Sequence, residues 1–248
     1  MAAKERIDKL LVQRQLAGSR ERARALILAG RVVVDDQTVD KVGTQVDSTA
    51  SIRLRGEDIP YVSRGGLKLA KALEYFDITV AGCTAIDVGA STGGFTDCLL
   101  QNGAAKVIAV DVGYGQLAWK LRDDDRVVNL ERTNIRHLDA GQLEVNPELA
   151  VIDASFISLE KVLPATLSLL KPGSNLVALI KPQFEVGKGQ VGKGGVVRDP
   201  EQHLQVVEKI KLLAHRLGCE VVGVCESPVL GPKGNREFLI HLRMESTL

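Results

Sequence analysis

The sequence has little cysteine and no cysteine motif. Its four thiols are Cys83, Cys98, Cys219 and Cys225; none stands in C-x-x-C, and no histidine lies at zinc spacing from them. That excludes a zinc module of the familiar spacings and a disulfide framework, and free buried thiols point to a reducing compartment. His137, His203, His215 and His241 form no arrangement that asks for chemistry, so no metal is expected. No stretch approaches the ~18 apolar residues of a membrane span, and the N-terminus is charged from Lys4 onward. The expected location is cytoplasmic, without a membrane partner. Net charge is missing too: 32 Lys+Arg face 31 Asp+Glu, so global charge names no partner. A hydrophobic share of 45% over 248 residues suits one medium domain and a small one.

Charge is present locally. Residues 1–31 hold eight Lys/Arg against three acids, a net of +5, while residues 32–60 come to −3. A basic cap on a near-neutral chain is an electrostatic footprint for a polyanion, and equally the solvated face of an ordinary helix. Ile7, Leu10 and Leu11 mark a short amphipathic helix. Ser19 fits as N-cap of a second helix, with Glu21 in its first turn and Ala23, Leu26 and Ile27 as its buried stripe. Gly30 fits as its left-handed stop. Val32-Val33-Val34, a turn at Asp35-Asp36-Gln37, and Thr38 to Lys41 read as a hairpin. This succession over roughly residues 5–55 resembles the S4 RNA-binding module. The resemblance implies RNA binding, with Arg6, Arg20, Arg24 and Arg31 as candidate contacts.

The pattern changes after Pro60, which sets expected domains of 1–60 and 61–248. A short apolar strand, Ala85 to Val88, runs into Gly89-Ala90-Ser91-Thr92-Gly93-Gly94-Phe95 and then a helix. Further strands are expected at 107–111, at 127–130, in the runs ending at Asp153 and Lys181, at 221–224 and at 238–242. Helical segments separate most of them, so the sheet is expected to be mostly parallel and doubly wound. The last two strands are linked through Pro228, Gly231, Pro232 and Gly234 without a helix, which suggests an antiparallel hairpin at the sheet edge.

A Gly-rich turn after a strand could serve NAD, a flavin or S-adenosylmethionine. The loop here does not read G-x-G-x-x-G. Asp87 stands just before it, and an antiparallel last hairpin is foreign to dinucleotide folds. Together these features resemble the class I methyltransferases, which are Rossmann-like α/β domains with a seven-stranded sheet. The resemblance implies that Asp87 and residues 89–95 approach S-adenosylmethionine, that Asp111 accepts from its ribose hydroxyls, and that Asn134 lies near its adenine.

Lys68, Asp153, Lys181 and Glu237 each stand at a strand end or just ahead of the fold, and polar groups at neighbouring strand ends converge on one crevice. In this chain order they resemble the Lys-Asp-Lys-Glu tetrad of FtsJ-type ribose 2′-O-methyltransferases. With the S4 pattern, the strings Val62-Ser63-Arg64-Gly65, Asp111 to Trp119, Ser155 to Leu159 and Lys181 to Gly192 resemble the TlyA-type family, sometimes labelled hemolysins. That family implies 2′-O-methylation of a cytidine in ribosomal RNA. Longer members carry a further helix after the last strand; this sequence stops at Leu248, so the large subunit is the expected target.

The chemistry suits these residue types. A ribose hydroxyl is a poor nucleophile and must lose its proton during attack. A lysine can take it when burial and a second cation favour the neutral amine. Lys181 is the expected base, held by Asp153; Lys68, anchored by Glu237, is expected to position the ribose. Arg64 and the basic glycine-rich stretch with Lys188, Lys193 and Arg198 are expected to hold the RNA backbone. Tyr114 and Trp119 are either core rings or stacking partners for an exposed base. A monomer is expected. Two rival readings are a non-catalytic assembly factor and a membrane-active hemolysin; binding without methyl transfer would favour the first, liposome leakage the second.

Overall fold

The computed structural model describes residues 4–55, 59–187, 189–192 and 194–245. Lys188 and Lys193, expected to contact RNA, lie outside the described residues. The chain divides into two compact units, residues 1–60 and 61–248.

In the first unit, β1 (Lys4–Arg6) leads into α1 (Ile7–Gln13), followed by α2 (Arg20–Leu28), β2 (Val32–Val34), β3 (Gln37–Val39), β4 (Gln45–Asp47) and β5 (Ile52–Leu54). The Ser19 hydroxyl accepts the Arg22 amide at 3.1 Å, so α2 begins where a side chain satisfies an otherwise orphaned N–H. Gly30, at φ +65°, ends it. The β2–β3 turn is tighter than the sequence suggested. Asp35 and Asp36 alone make it, both at positive φ, and Gln37 already pairs with Val34. A two-residue turn of that hand matches the twist of the strands it joins. Ile7, Leu10 and Leu11 of α1 meet Ala23, Leu26 and Ile27 of α2 over Val32 and Val34. Each large aliphatic side chain buried there contributes ~1.5–3 kcal/mol before chain entropy is subtracted.

The second unit contains α3 (Gly65–Tyr75), β6 (Thr84–Val88), α4 (Gly94–Gln101), β7 (Lys106–Val110), α5 (Trp119–Arg122), β8 (Val127–Leu130), β9 (Leu149–Ile152), α6 (Leu159–Leu167), β10 (Asn175–Ile180), α7 (Pro182–Glu185), α8 (Pro200–Arg216), β11 (Cys219–Glu226) and β12 (Phe238–Met244). Its sheet has seven strands in the order β11-β12-β10-β9-β6-β7-β8. Five are parallel, and β12 runs antiparallel to both its neighbours, β10 and β11. This is the mostly parallel α/β sheet with an antiparallel end expected of a methyltransferase.

Alternate residues of each central strand feed opposite faces. Ala150 and Ile152 join the core under α6 and α8, while Leu149 and Val151 join the one under α3 and α4. Strands buried on both faces must be apolar throughout, which is why these runs lack polar alternation. The chain steps from β6 outward to β7 and β8, then returns to β9 on the other side of β6. Their carboxyl ends therefore flank the topological switch point where α/β sheets open a crevice.

Candidate active site

Register assembles the site. Val88 pairs with Ile152, so Gly89 and Asp153 leave adjacent strands side by side. Ile180 pairs with Phe238, so Lys181, leaving β10, stands beside Glu237, about to enter β12. Because β12 runs the other way, its first residues lie at the edge where the parallel strands finish. Lys68, on the second turn of α3, completes the group.

Lys68 Nζ donates to Glu237 Oε2 at 2.7 Å and lies 4.0 Å from Asp153 Oδ2. Lys181 Nζ is 2.6 Å from Asp153 Oδ1, an ion pair by distance, and donates to Ser155 Oγ at 2.8 Å and to the Asp153 carbonyl at 3.3 Å. Glu237 is 1% exposed, Lys181 6% and Lys68 8%. Buried charges persist only when paired, and here each lysine has its own carboxylate. Gln183 Nε2 donates to the second Glu237 oxygen at 3.3 Å. Gly231 lies against the same carboxylate so closely that any Cβ there would collide with it.

Two cavities meet at this group. One, of about 370 Å³, is lined by Gly89, Ser91, Asp111, Gly113, Asn134 and Phe156 among others. The other, of about 350 Å³, is lined by Arg64, Lys68, Ala90, Thr92, Gly94, Phe95, Lys181 and the 229–232 segment. Gly89, Ser91, Asp153 and Ser155 belong to both. Gly89 sits at φ +84° with the Asp153 carbonyl and Ala154 backbone 3.0 Å from where a Cβ would be. Conformation and space both demand glycine there.

The Asp111 carboxylate ties the loops together, accepting from Ser91 N at 2.7 Å and Gly113 N at 2.6 Å. Each oxygen keeps a further lone pair. Asn134 caps the short helical turn Ile135–His137 by accepting the Arg136 amide at 3.1 Å. The first cavity has the volume of a small-molecule site. Its acceptors and close backbone suit a polar nucleoside with hydroxyls to donate.

Two residues expected at the cofactor do not line these cavities. Asp87 lines neither cavity; it is wholly buried and accepts from Thr96 Oγ1 at 2.7 Å, and burial pushes its carboxyl up to about 7. Gly93 lines neither cavity as well. It packs beneath Leu117 and Leu121, at φ +92°, where a side chain has no room.

The expected RNA contacts divide similarly. Arg6 and Arg20 both grip the buried Asp8, at 2.9 and 2.7 Å, and the Arg6 hydrogen bond is the main cause holding the Asp8 carboxyl down at about 2. Arg31 Nε donates to the Arg55 carbonyl at 3.0 Å. Arg24, Arg64 and Arg198 are exposed, and Arg64 reaches the second cavity. Tyr114 and Trp119 are exposed rather than core, and neither lines the two cavities at the site; Tyr114 stacks under Arg132 at 4.2 Å.

Three residues that stand within the family strings but had no role expected of them border the site: Ser155, Gln183 and Phe156. Phe156 is 90% exposed at φ +63°, lines the first cavity and packs against Phe184 with the rings tilted and their centroids 5.2 Å apart. A left-handed aromatic residue is costly and persists where its surroundings hold it. The signal available beforehand was proximity: each lies within three residues of Asp153 or Lys181.

Residues 61–244 match the FtsJ-like methyltransferase family, and residues 5–52 match the S4 domain. The chain is 50% identical to the 16S/23S rRNA (cytidine-2′-O)-methyltransferase TlyA of Mycobacterium tuberculosis, over 99% of this chain and 92% of that protein. It is also 50% identical to YqxC of Bacillus subtilis, which carries an rRNA methyltransferase name, over 96% of this chain and 85% of that one. A solved structure from Streptococcus thermophilus, carrying a hemolysin name, is 46% identical with a TM-score of 0.78, covering 100% of this chain and 90% of that one. Among the described residues no helix is long and apolar enough to cross a membrane, and no cluster could hold a metal ion.

Proposed function

Because the chain belongs to the FtsJ-like methyltransferase family and carries an S4 domain, we propose that it methylates a cytidine 2′-hydroxyl of large-subunit ribosomal RNA, using S-adenosylmethionine. The observation that carries this reading is the pair of buried lysine–carboxylate contacts where two cavities meet, one fit for a nucleoside cofactor and one opening past Arg64.

In this reading Gly89, Ser91, Asp111, Gly113 and Asn134 hold the cofactor. When bound there, S-adenosylmethionine supplies an electrophilic methyl group on a sulfonium. Lys68 and Arg64 orient the ribose and its phosphate from the second cavity, with Glu237 fixing Lys68. Lys181, held by Asp153, takes the hydroxyl proton. Such assistance is worth ~10²–10⁴-fold in rate, and alignment of the reacting atoms adds to it. The S4 unit docks on the RNA through its exposed basic side chains and supplies affinity that falls with salt.

The test is transfer of a tritiated methyl group to isolated ribosomal subunits and to naked rRNA, followed by mapping. Label at one cytidine ribose of large-subunit RNA is the expected result. Label on a base, or none despite cofactor binding, would overturn it, the latter in favour of a non-catalytic assembly factor.

A further inference from the structure

Lys181 Nζ has three protein oxygens within 3.3 Å: Asp153 Oδ1, the Asp153 carbonyl and Ser155 Oγ. A lysine ammonium has three hydrogens and no lone pair; a neutral amine has two hydrogens and one lone pair. For Lys181 to accept a proton, its lone pair must face something that can donate. The Asp153 carbonyl and carboxylate only accept. Ser155 is the one neighbour with a hydrogen of its own, and its hydroxyl can turn from accepting to donating. It also borders both cavities, whereas Lys181 borders only the second.

We propose that the proton does not pass directly from ribose to Lys181 but through the hydroxyl of Ser155. This rests on the proposed 2′-O-methylation with Lys181 as final acceptor. The O2′–H bond breaks as that hydrogen forms a bond to Ser155 Oγ. The hydrogen already on Oγ moves to Lys181 Nζ, which becomes the ammonium that Asp153 stabilises. The electron pair left on O2′ forms the bond to the methyl carbon, and sulfur retains the pair of the broken carbon–sulfur bond. Ser155 ends as it began, and Lys181 returns its proton to solvent before the next turnover. The relay makes sense of the geometry: Asp153 holds the charged product, and Ser155, exposed at the junction, meets the substrate.

The discriminating pair is Ser155→Thr and Ser155→Val, which differ by a hydroxyl and little in shape, so the valine excludes a substitute water. With full-length protein saturated in S-adenosylmethionine and large-subunit substrate, single-turnover methylation should stay within a few-fold of wild type for Ser155→Thr. It should fall at least ~10²-fold for Ser155→Val, the scale of lost proton-transfer assistance. Calorimetric cofactor affinity, RNA affinity and melting temperature should match between the two. In mixtures of light and heavy water, the wild-type single-turnover rate should bow with deuterium fraction, as two moving hydrogens require. Equal rates for the threonine and valine variants, or a straight-line dependence in wild type, would overturn the relay. Lys181→Arg separates this from failure of the parent reading. An inactive Lys181→Arg beside an active Ser155→Val rejects the relay alone; an active Lys181→Arg removes Lys181 as acceptor and the relay with it.

Discussion

At the scale of single residues, two carboxylates near the carboxyl ends of adjacent strands do opposite jobs: Asp87 is the penultimate residue of β6, and Asp111 follows β7. Asp111 faces the first cavity with two backbone amides already on it. Asp111→Ala is expected to weaken S-adenosylmethionine binding by roughly 1–3 kcal/mol, the cost of stranding hydrogen-bonded polar groups. Calorimetry on the folded variant checks this, and unchanged affinity would remove Asp111 from the cofactor site. Asp87 is sealed beneath the loop, and burial raises its carboxyl from about 4 to about 7. The native state thus binds the proton more tightly than the unfolded chain, so this group erodes stability as pH rises from about 4 to about 7. Asp87→Asn can still accept from Thr96 and carries no charge. Its melting temperature relative to wild type should therefore be higher at pH 8 than at pH 4.5; the same difference at both values would refute the burial argument.

Among elements, α2 was readable because its signals are local. Ser19, the Ala23-Leu26-Ile27 stripe and Gly30 each act through the nearest turn, and all three stand where the sequence put them. The strand-end positions of Lys181 and Glu237 were readable for the same reason: an apolar run stops at a charge. What escaped the sequence was partnership across the fold. Nothing near Asp8 announces that it would bind Arg20, twelve residues away, and nothing near Ser155 announces that register would bring Lys181 to it. That Asp87 would be buried rather than line a cavity also escaped, because a strand's last residues can face the loop or the core, and one chain position does not say which. The Asp8 contacts sharpen the prediction for α2. Arg24→Ala should weaken RNA binding and reduce its salt slope with no change in melting. Arg20→Ala should do the same and also destabilise by roughly 1 kcal/mol, because it strips a charged hydrogen bond from Asp8. Filter binding at several salt concentrations with parallel denaturant melts distinguishes the two; identical stabilities would make the Arg20–Asp8 contact incidental.

For the whole molecule, each of the two units has its own apolar core. Deleting residues 1–60 is expected to leave cofactor affinity intact and to abolish methylation of ribosomal substrate. Undiminished turnover by the shortened protein would make the S4 unit dispensable. Within the larger unit, the order of strands in space departs from their order in the chain at the switch point beside β6 and again at the end, where β12 lies between β10 and β11. During synthesis β11 therefore emerges from the ribosome before β12, its pairing partner among the described residues. Until β12 threads in, β10 has a bare edge and Lys68 has no Glu237. The proposed methyl-transfer site therefore stays incomplete on the nascent chain until β12 has joined the sheet.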